Sequence, residues 1–377
     1  MIQLSDIIGQ DAAIARLQQA MASGRMPHAL LFAGPAGVGK RTTATALAAA
    51  LLCEKPVKKG RVGQDGCGRC EDCRMLAAGT HPDFLLVYKE LAAYHPDPRV
   101  RDRVMQELGI DVVRDFLIVP AGAAPARGRG KVFVVLEAEL MSAPAQNCLL
   151  KTLEEPPRGV TIILITQRPE ELLPTTLSRC STVRFGPLPR EFVMARLAEA
   201  GVEGPQAEFW AGFAAGSAGE ALRLSQRGLY DAKREIVGRL GQMGDAGDPD
   251  LADELVKIAD AMAAAAVKNA RKDDSVEMSK NLATRQGVGT LLRIIASAFR
   301  DALHVRSAGR GRPARPLVHC DQQPAIEAIA RRLGPAQLAE IIEQLAEYER
   351  LLWRNVSPKI LWDNVVVTCA SAAPLRL

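Results

Sequence analysis

Gly34-Pro35-Ala36-Gly37-Val38-Gly39-Lys40, followed by Arg41, decides the fold of this chain. The spacing is that of a phosphate-binding loop, and the flanks supply the setting such a loop needs. The apolar run Ala29-Leu30-Leu31-Phe32-Ala33 reads as a buried strand, and the alanine-rich segment Thr42 to Leu52 reads as a helix. Glycines let the backbone turn until its N–H groups converge on phosphate oxygens at a helix N-terminus, and Lys40 adds a point charge for the outer phosphates. Gly34, Gly37, Gly39 and Lys40 are therefore candidate nucleotide-binding residues for ATP or ADP. An ordinary glycine turn beside an exposed lysine is the alternative, and it leaves the agreement of strand, loop and helix unexplained. Arg41 stands where a Ser or Thr hydroxyl normally holds the metal that bridges the terminal phosphates, and a guanidinium cannot ligate a cation.

A second seat for that metal is expected at the end of another buried strand. Lys131-Val132-Phe133-Val134-Val135-Leu136-Glu137-Ala138-Glu139 has the continuous apolar pattern of a parallel strand ending in acid. Leu136 occupies the place of the expected Asp, leaving Glu137 as the candidate acid. These two losses argue against magnesium and against hydrolysis in this pocket. The helix Asn147 to Glu155, stopped by Pro156-Pro157, precedes a strand Thr161-Ile162-Ile163-Leu164-Ile165-Thr166 whose polar last residue, Thr166, is a further candidate contact to nucleotide. Leu173-Pro174-Thr175-Thr176-Leu177-Ser178-Arg179-Cys180 then places an arginine on a loop or helix end.

Cysteines cluster as Cys53, Cys67, Cys70 and Cys73, four of the eight in the chain. Three thiolates at two-residue gaps fold around one ion, and Cys53 at the end of the preceding helix completes a tetrahedron. Zinc suits four soft thiolates with no redox task, an iron–sulfur cluster comes second, and a reduced thiol loop is the metal-free alternative. A closed four-cysteine site has no open position, so such a zinc is structural. Cys148, Cys180, Cys320 and Cys369 are scattered and read as packing residues.

With 377 residues, 48% of them hydrophobic and 24% charged, the chain can bury large cores and divides into two or three domains. It lacks an apolar run long enough for a membrane span and a basic, signal-like start, so a cytoplasmic location without membrane contact is expected. The net charge of +5 permits nucleic acid without arguing for it, and aromatics at 4% speak against base-stacking platforms.

Several strings together resemble the bacterial DNA polymerase III clamp-loader subunits of the AAA+ class. They are Pro27-His28-Ala29, the cysteine module, His81-Pro82-Asp83, Asn147 to Pro157, Ser178-Arg179-Cys180 and, near the end, Asn355-Val356-Ser357-Pro358. The resemblance implies a hetero-oligomeric ring with tau/gamma and delta subunits that loads a sliding clamp onto primed DNA. It implies that Arg179 is an arginine finger, acting in trans on the nucleotide of a neighbouring subunit. It also supplies a third departure: a lid arginine of the family is replaced by Gly219 in Gly216-Ser217-Ala218-Gly219. Together the departures favour the non-hydrolysing, delta-prime branch. An active tau/gamma-type ATPase is the first alternative, and a zinc-bearing nucleic-acid binding module on a relic nucleotide fold is the second.

The expected architecture is an α/β parallel-sheet domain over residues 1–168 carrying the zinc module at about 53–73, a small helical lid at 169–227, and an all-α collar at 228–377. Within it, residues 84–130, including Arg127-Gly128-Arg129-Gly130, read first as a solvated insertion and second as DNA contacts. Lys268–Lys280 and Arg306–Arg315 read as solvated and poorly ordered.

Overall fold

The structure is a computed structural model that describes residues 2–59, 63–101, 107–244, 246–272, 280–308, 315–352 and 356–371. It forms two compact units, Met1–Phe192 and Val193–Leu377. Asn355 and the middles of the Lys268–Lys280 and Arg306–Arg315 stretches lie outside the described residues. Among the described residues no helix is long and apolar enough to cross a membrane.

In the first unit the strands are β1 (Ala29–Ala33), β2 (Val57–Lys59), β3 (Gly63–Asp65), β4 (Phe84–Val87), β5 (Lys131–Val135), β6 (Val160–Thr166) and β7 (Ser181–Arg184). Five form one parallel sheet in the order β4-β5-β6-β1-β7, while β2 and β3 make a separate antiparallel hairpin. Parallel strands are covered on both faces, so β1 and β5 are buried along their whole length, β1 as an unbroken apolar run and β5 as one that follows Lys131. The main helices of this unit are α1 (Asp11–Ala22), α2 (Lys40–Leu52), α3 (Glu71–Ala78) and α4 (Ala143–Glu154).

Two expectations are corrected. The acidic strand ends at Val135, and from Glu137, which has a left-handed backbone, the chain turns away through Ala138–Leu140. The stretch 84–130 is not an insertion of solvated loops: Phe84–Val87 is the edge strand of the sheet, and Ile110–Gly122 is a helical stretch with a π turn at Arg114–Ile118. Val112, Val113, Leu117 and Ala121 of that stretch enter the core with Phe133, Val135, Ile162 and Leu164. Charge at the surrounding positions hid this apolar face, because the π turn breaks the usual helical period.

The second unit is helical: the helix α5 (Arg190–Glu199) leads into it, followed by α6 (Gly204–Phe213), α7 (Ala218–Ser225), α8 (Leu229–Gln242), α9 (Pro249–Lys272), α10 (Lys280–Ala308), α11 (Gln323–Arg332), α12 (Pro335–Leu351) and α13 (Pro358–Ser371). The amphipathic periods of α10 and α12 bury Leu291, Leu292, Ile294, Ile295, Phe299, Leu338, Ile341 and Leu345. A polar knot crosses this core. Lys233 of α8, with a fully buried side chain, donates to both oxygens of Asp321 at 2.6 and 2.7 Å, and Tyr230 donates to the same carboxylate at 2.8 Å. Its ammonium also lies 4.2 Å from the Phe209 ring centroid. Beside it, Ser297 gives its hydroxyl proton to the Ile294 carbonyl and so accepts from His319 Nε2 at 2.8 Å. The other ring nitrogen, Nδ1, is buried without a partner. Burial, helped by the Lys233 charge, pulls His319 down to about 3, so the imidazole is neutral.

Candidate functional site: the phosphate loop and the cysteine cluster

The loop leaves β1 at the C-terminal edge of the sheet, where open α/β sheets place their ligands. Gly34 N–H donates to the Thr166 carbonyl at 3.2 Å, and Phe185 N–H donates to the Ala33 carbonyl at 2.8 Å, fixing the loop between the ends of β6 and β7. Only glycine fits at 34: its φ is 153°, and a Cβ would lie 2.2 Å from the Phe185 carbonyl oxygen. Gly37 and Gly39 also take positive φ, and Gly39 caps α2. Lys40, 6% exposed, donates to the carbonyls of Gly34 and Pro35. Burial pulls its ammonium down to about 8, against the opposing charge of Glu139. The structure thus brings Gly34, Gly37, Gly39, Lys40 and Thr166 together.

It does not add the missing metal seats. Arg41 is exposed on the first turn of α2. Thr43 is buried, and its hydroxyl donates to the Gly39 carbonyl at 2.9 Å. The Leu136 N–H continues the sheet ladder to Val87 at 2.9 Å. Glu137 has a left-handed backbone, φ 49°, and points to Lys89 at 3.4 Å. The Thr166 hydroxyl accepts from the Arg168 N–H at 3.0 Å.

Two residues of this region escaped the sequence reading. Gln10 is buried and spends its amide on the Val38 carbonyl (3.2 Å), the Gly186 carbonyl (2.8 Å) and the Gly186 N–H (3.1 Å), bracing the loop from α1's N-cap. Glu139, two residues past the acid singled out above, is buried and acts electrostatically on Lys40. The sequence gives little signal for either: Gln10 stands between Gly9 and Asp11, and Glu139 is a polar residue between Ala138 and Leu140.

The cysteine module grows from the far end of the same helix. Cys53 is the C-cap of α2, Cys70 is the N-cap of α3, and Cys73 lies within α3. The four Sγ atoms of Cys53, Cys67, Cys70 and Cys73 lie within 4.8 Å of one another, with Cys53 to Cys70 at 3.7 Å. Four sulfurs at about 2.3 Å from a central zinc are about 3.8 Å apart, so the donor set fits a tetrahedral ion. Backbone N–H groups of Cys67, Cys70 and Cys73 point at the sulfurs of Cys53, Cys67 and Cys70 at 3.3 to 3.5 Å. The Arg69 N–H is the largest influence holding Cys67 down to about 6, while burial pushes Cys53 and Cys73 up. Of the remaining cysteines, Cys369 is buried and Cys148 and Cys180 are half-buried, but Cys320 is exposed and is not a packing residue.

The His81-Pro82-Asp83 triplet acquires a physical role beside this module. Asp83 is fully buried and accepts from the N–H groups of Ala126 and Arg127, both at 2.8 Å. That turns the Arg127 guanidinium onto Asp72 (2.9 Å) and Glu71 (2.7 Å) at the start of α3. Arg129 reaches the Glu54 carbonyl, beside Cys53, at 2.6 Å. The Arg127–Gly130 loop is therefore a clamp on the cysteine module, not a free basic loop.

Arg179 follows the short helical turn Pro174–Leu177. Its Nε donates to Glu154 Oε1 at 2.6 Å and its Nη1 to the Thr175 carbonyl at 2.8 Å. None of its partners belongs to the phosphate loop, so within this chain Arg179 is a surface ion pair joining the Ser178-Arg179-Cys180 string to the end of α4.

Comparison with known proteins matches each unit separately. Residues 9–189 match the family model described as "DNA polymerase III, delta subunit", and residues 259–366 match "DNA polymerase III, delta subunit, C terminal". The DNA polymerase III subunit delta' of Pseudomonas aeruginosa is 41% identical over 153 residues, covering 41% of either chain. The subunit delta' of Escherichia coli is 33% identical over 227 residues, covering 60% of this chain and 63% of that one. The Escherichia coli subunit tau is 36% identical over 176 residues, 47% of this chain and 24% of tau. These matches span less than two thirds of each relative's length. Among solved structures, a gamma subunit-related protein of Thermotoga maritima aligns over 94% of this chain and 98% of its own at 16% identity and a TM-score of 0.40. With one family match seated in each unit, and delta' proteins among its relatives, the chain belongs to the DNA polymerase III delta-type subunit family.

Proposed function

We propose that this chain is the delta-prime subunit of a DNA polymerase III clamp loader, joined with tau/gamma and delta in a ring that loads the sliding clamp onto primed DNA in the cytoplasm. One observation carries the reading: the phosphate loop keeps its glycines and Lys40, while Arg41 and Leu136 occupy both positions where a bridging metal would be held. Phosphoryl transfer consists mostly of positioning and charge neutralisation, so a cradle without a metal seat grips phosphates better than it breaks them. Gly219, beside the Ser217 cap of α7, removes a lid guanidinium as well. The chain then contributes to turnover through its neighbour, with Arg179 as the finger presented to that subunit's nucleotide. Residues 169–227 serve as the lid and 228–377 as the collar that joins the ring. The four cysteines hold a structural zinc, which ties the end of α2 to α3 and takes no part in the chemistry.

Reconstitution tests this. The purified chain alone should show no ATP turnover above background, and clamp loading by tau/gamma with delta should require its addition. Turnover by the lone chain at the rate of the assembled complex, or full clamp loading without the chain, would refute the assignment. Arg41→Thr with Leu136→Asp separates the two pocket readings: turnover that appears only with these substitutions means a pocket that has lost its metal seat, whereas turnover already present in the unaltered chain means an active tau/gamma-type pocket.

A further inference from the structure

Glu139 is a buried acid beside the phosphate cradle. It lies in the turn Ala138–Leu140 just beyond β5 and is only 8% exposed. Its Oε1 accepts the Gln167 N–H at 3.2 Å, and its Oε2 is buried with no hydrogen-bond partner. The neighbouring Thr166 carbonyl accepts from Gly34 N–H, so the same two residues of the chain hold the acid on one side and the phosphate loop on the other. Lys40, the one cation of the loop, is itself buried and donates to the Gly34 and Pro35 carbonyls, and the charge of Glu139 opposes the downward pull of burial on its ammonium. Arg41 is exposed on the first turn of α2, and Glu137 is directed to Lys89 at 3.4 Å. A buried carboxylate with an unpartnered oxygen is costly and draws on whatever cation is within reach.

We propose that Glu139 is a specificity-determining residue of the phosphate loop: it competes with polyphosphate for Lys40 and repels the tail, so the pocket favours ligands with fewer phosphates. The inference rests on reading Gly34–Lys40 as a phosphate cradle. In a cradle that seats a divalent ion, that ion offsets both the acid and the tail. With Arg41 and Leu136 in the metal positions, the acid faces the phosphates unscreened, and repulsion grows with each added charge.

The test is calorimetric titration of the full chain with adenosine, ADP and ATP, for wild type, Glu139→Gln and Glu139→Gln with Lys40→Ala. Glutamine keeps the acceptor for Gln167 N–H and the shape of the side chain, and Glu139→Ser provides a second, smaller variant should the first unfold. Losing the charge should raise ATP affinity about tenfold, ADP affinity by less, and adenosine affinity not at all, and Lys40→Ala should cancel the gain. A purely structural role would move the three ligands alike. Unchanged or weaker ATP binding by Glu139→Gln, with ADP or ATP still binding wild type, overturns the role of Glu139 and leaves the cradle standing. No phosphate-dependent binding by wild type or either charge-removing variant overturns the cradle and this inference with it.

Discussion

Arg179 and Glu154 make opposite demands on a reconstituted clamp loader, and the contrast decides whether the guanidinium acts in trans. In the isolated chain Arg179 is parked on Glu154, with Nε 2.6 Å from Oε1, side chains 32% and 47% exposed. An exposed pair of this kind is worth about 0.2–1 kcal/mol, so swinging the guanidinium to a neighbour's phosphates costs at most about a fivefold factor. A finger supplied in trans contributes about a thousandfold or more, near 4 kcal/mol. Arg179→Ala should therefore lower the clamp- and DNA-stimulated ATPase of the complex by about three orders of magnitude. Glu154→Gln should leave it unchanged or raise it by up to about fivefold. Arg179→Lys should recover only part of the loss, since an ammonium lacks the planar two-pronged donor. The assay is steady-state phosphate release by complexes matched for assembly on gel filtration. Arg179→Ala within about threefold of wild type removes the finger, and a tenfold loss in Glu154→Gln means that the ion pair itself is the working geometry.

Other outcomes follow from the same structure. Metal analysis should find one zinc per chain, and stripping it should lower the melting temperature of the first unit by roughly 5–10 °C, since occupancy at even a hundred times Kd contributes about 2.7 kcal/mol; the absence of stoichiometric zinc refutes the site. Asp83→Ala leaves two backbone N–H groups without their acceptor, costing about 2–4 kcal/mol in denaturant unfolding, and by freeing Arg127 it should speed zinc release to a chelator; unaltered stability sinks this role of the triplet. His319, held near 3 in the fold against 6.5 as a free side chain, takes its proton first in the unfolded state, so stability is lost as pH falls below about 6.5. From pH 7 to 5 the loss is about 2 kcal/mol. Trp210 and Trp362 are buried in the second unit, so their fluorescence reports this unfolding, and His319→Gln should flatten the slope.

How much of this was legible in the sequence depends on whether the deciding contacts are local. The loop, its strand and helix are fixed by consecutive residues, and steric demands such as the contact between Gly34 and Phe185 leave glycine in the string as a visible trace. The cysteines announce themselves because sulfur chemistry needs few residues at short spacing. Glu139 gives no such trace. Its meaning comes from Gln167 and Lys40, which β6 and β1 bring to it across the sheet, and as a string Leu136-Glu137-Ala138-Glu139 makes the exposed Glu137 look equally suitable. The same reasoning explains the misread stretch 84–130. Arg127 and Arg129 look like free basic residues until Asp83, more than forty positions earlier, turns the loop onto the cysteine module. Counting charges along a chain assigns them to solvent by default, whereas here burial of one acid decides where two guanidinium groups go. An expectation of DNA contact drawn from such a loop must therefore be weighed against the acceptors the fold supplies to it, and for Arg127 two carboxylates within hydrogen-bond reach outweigh a phosphate that has to be brought from outside.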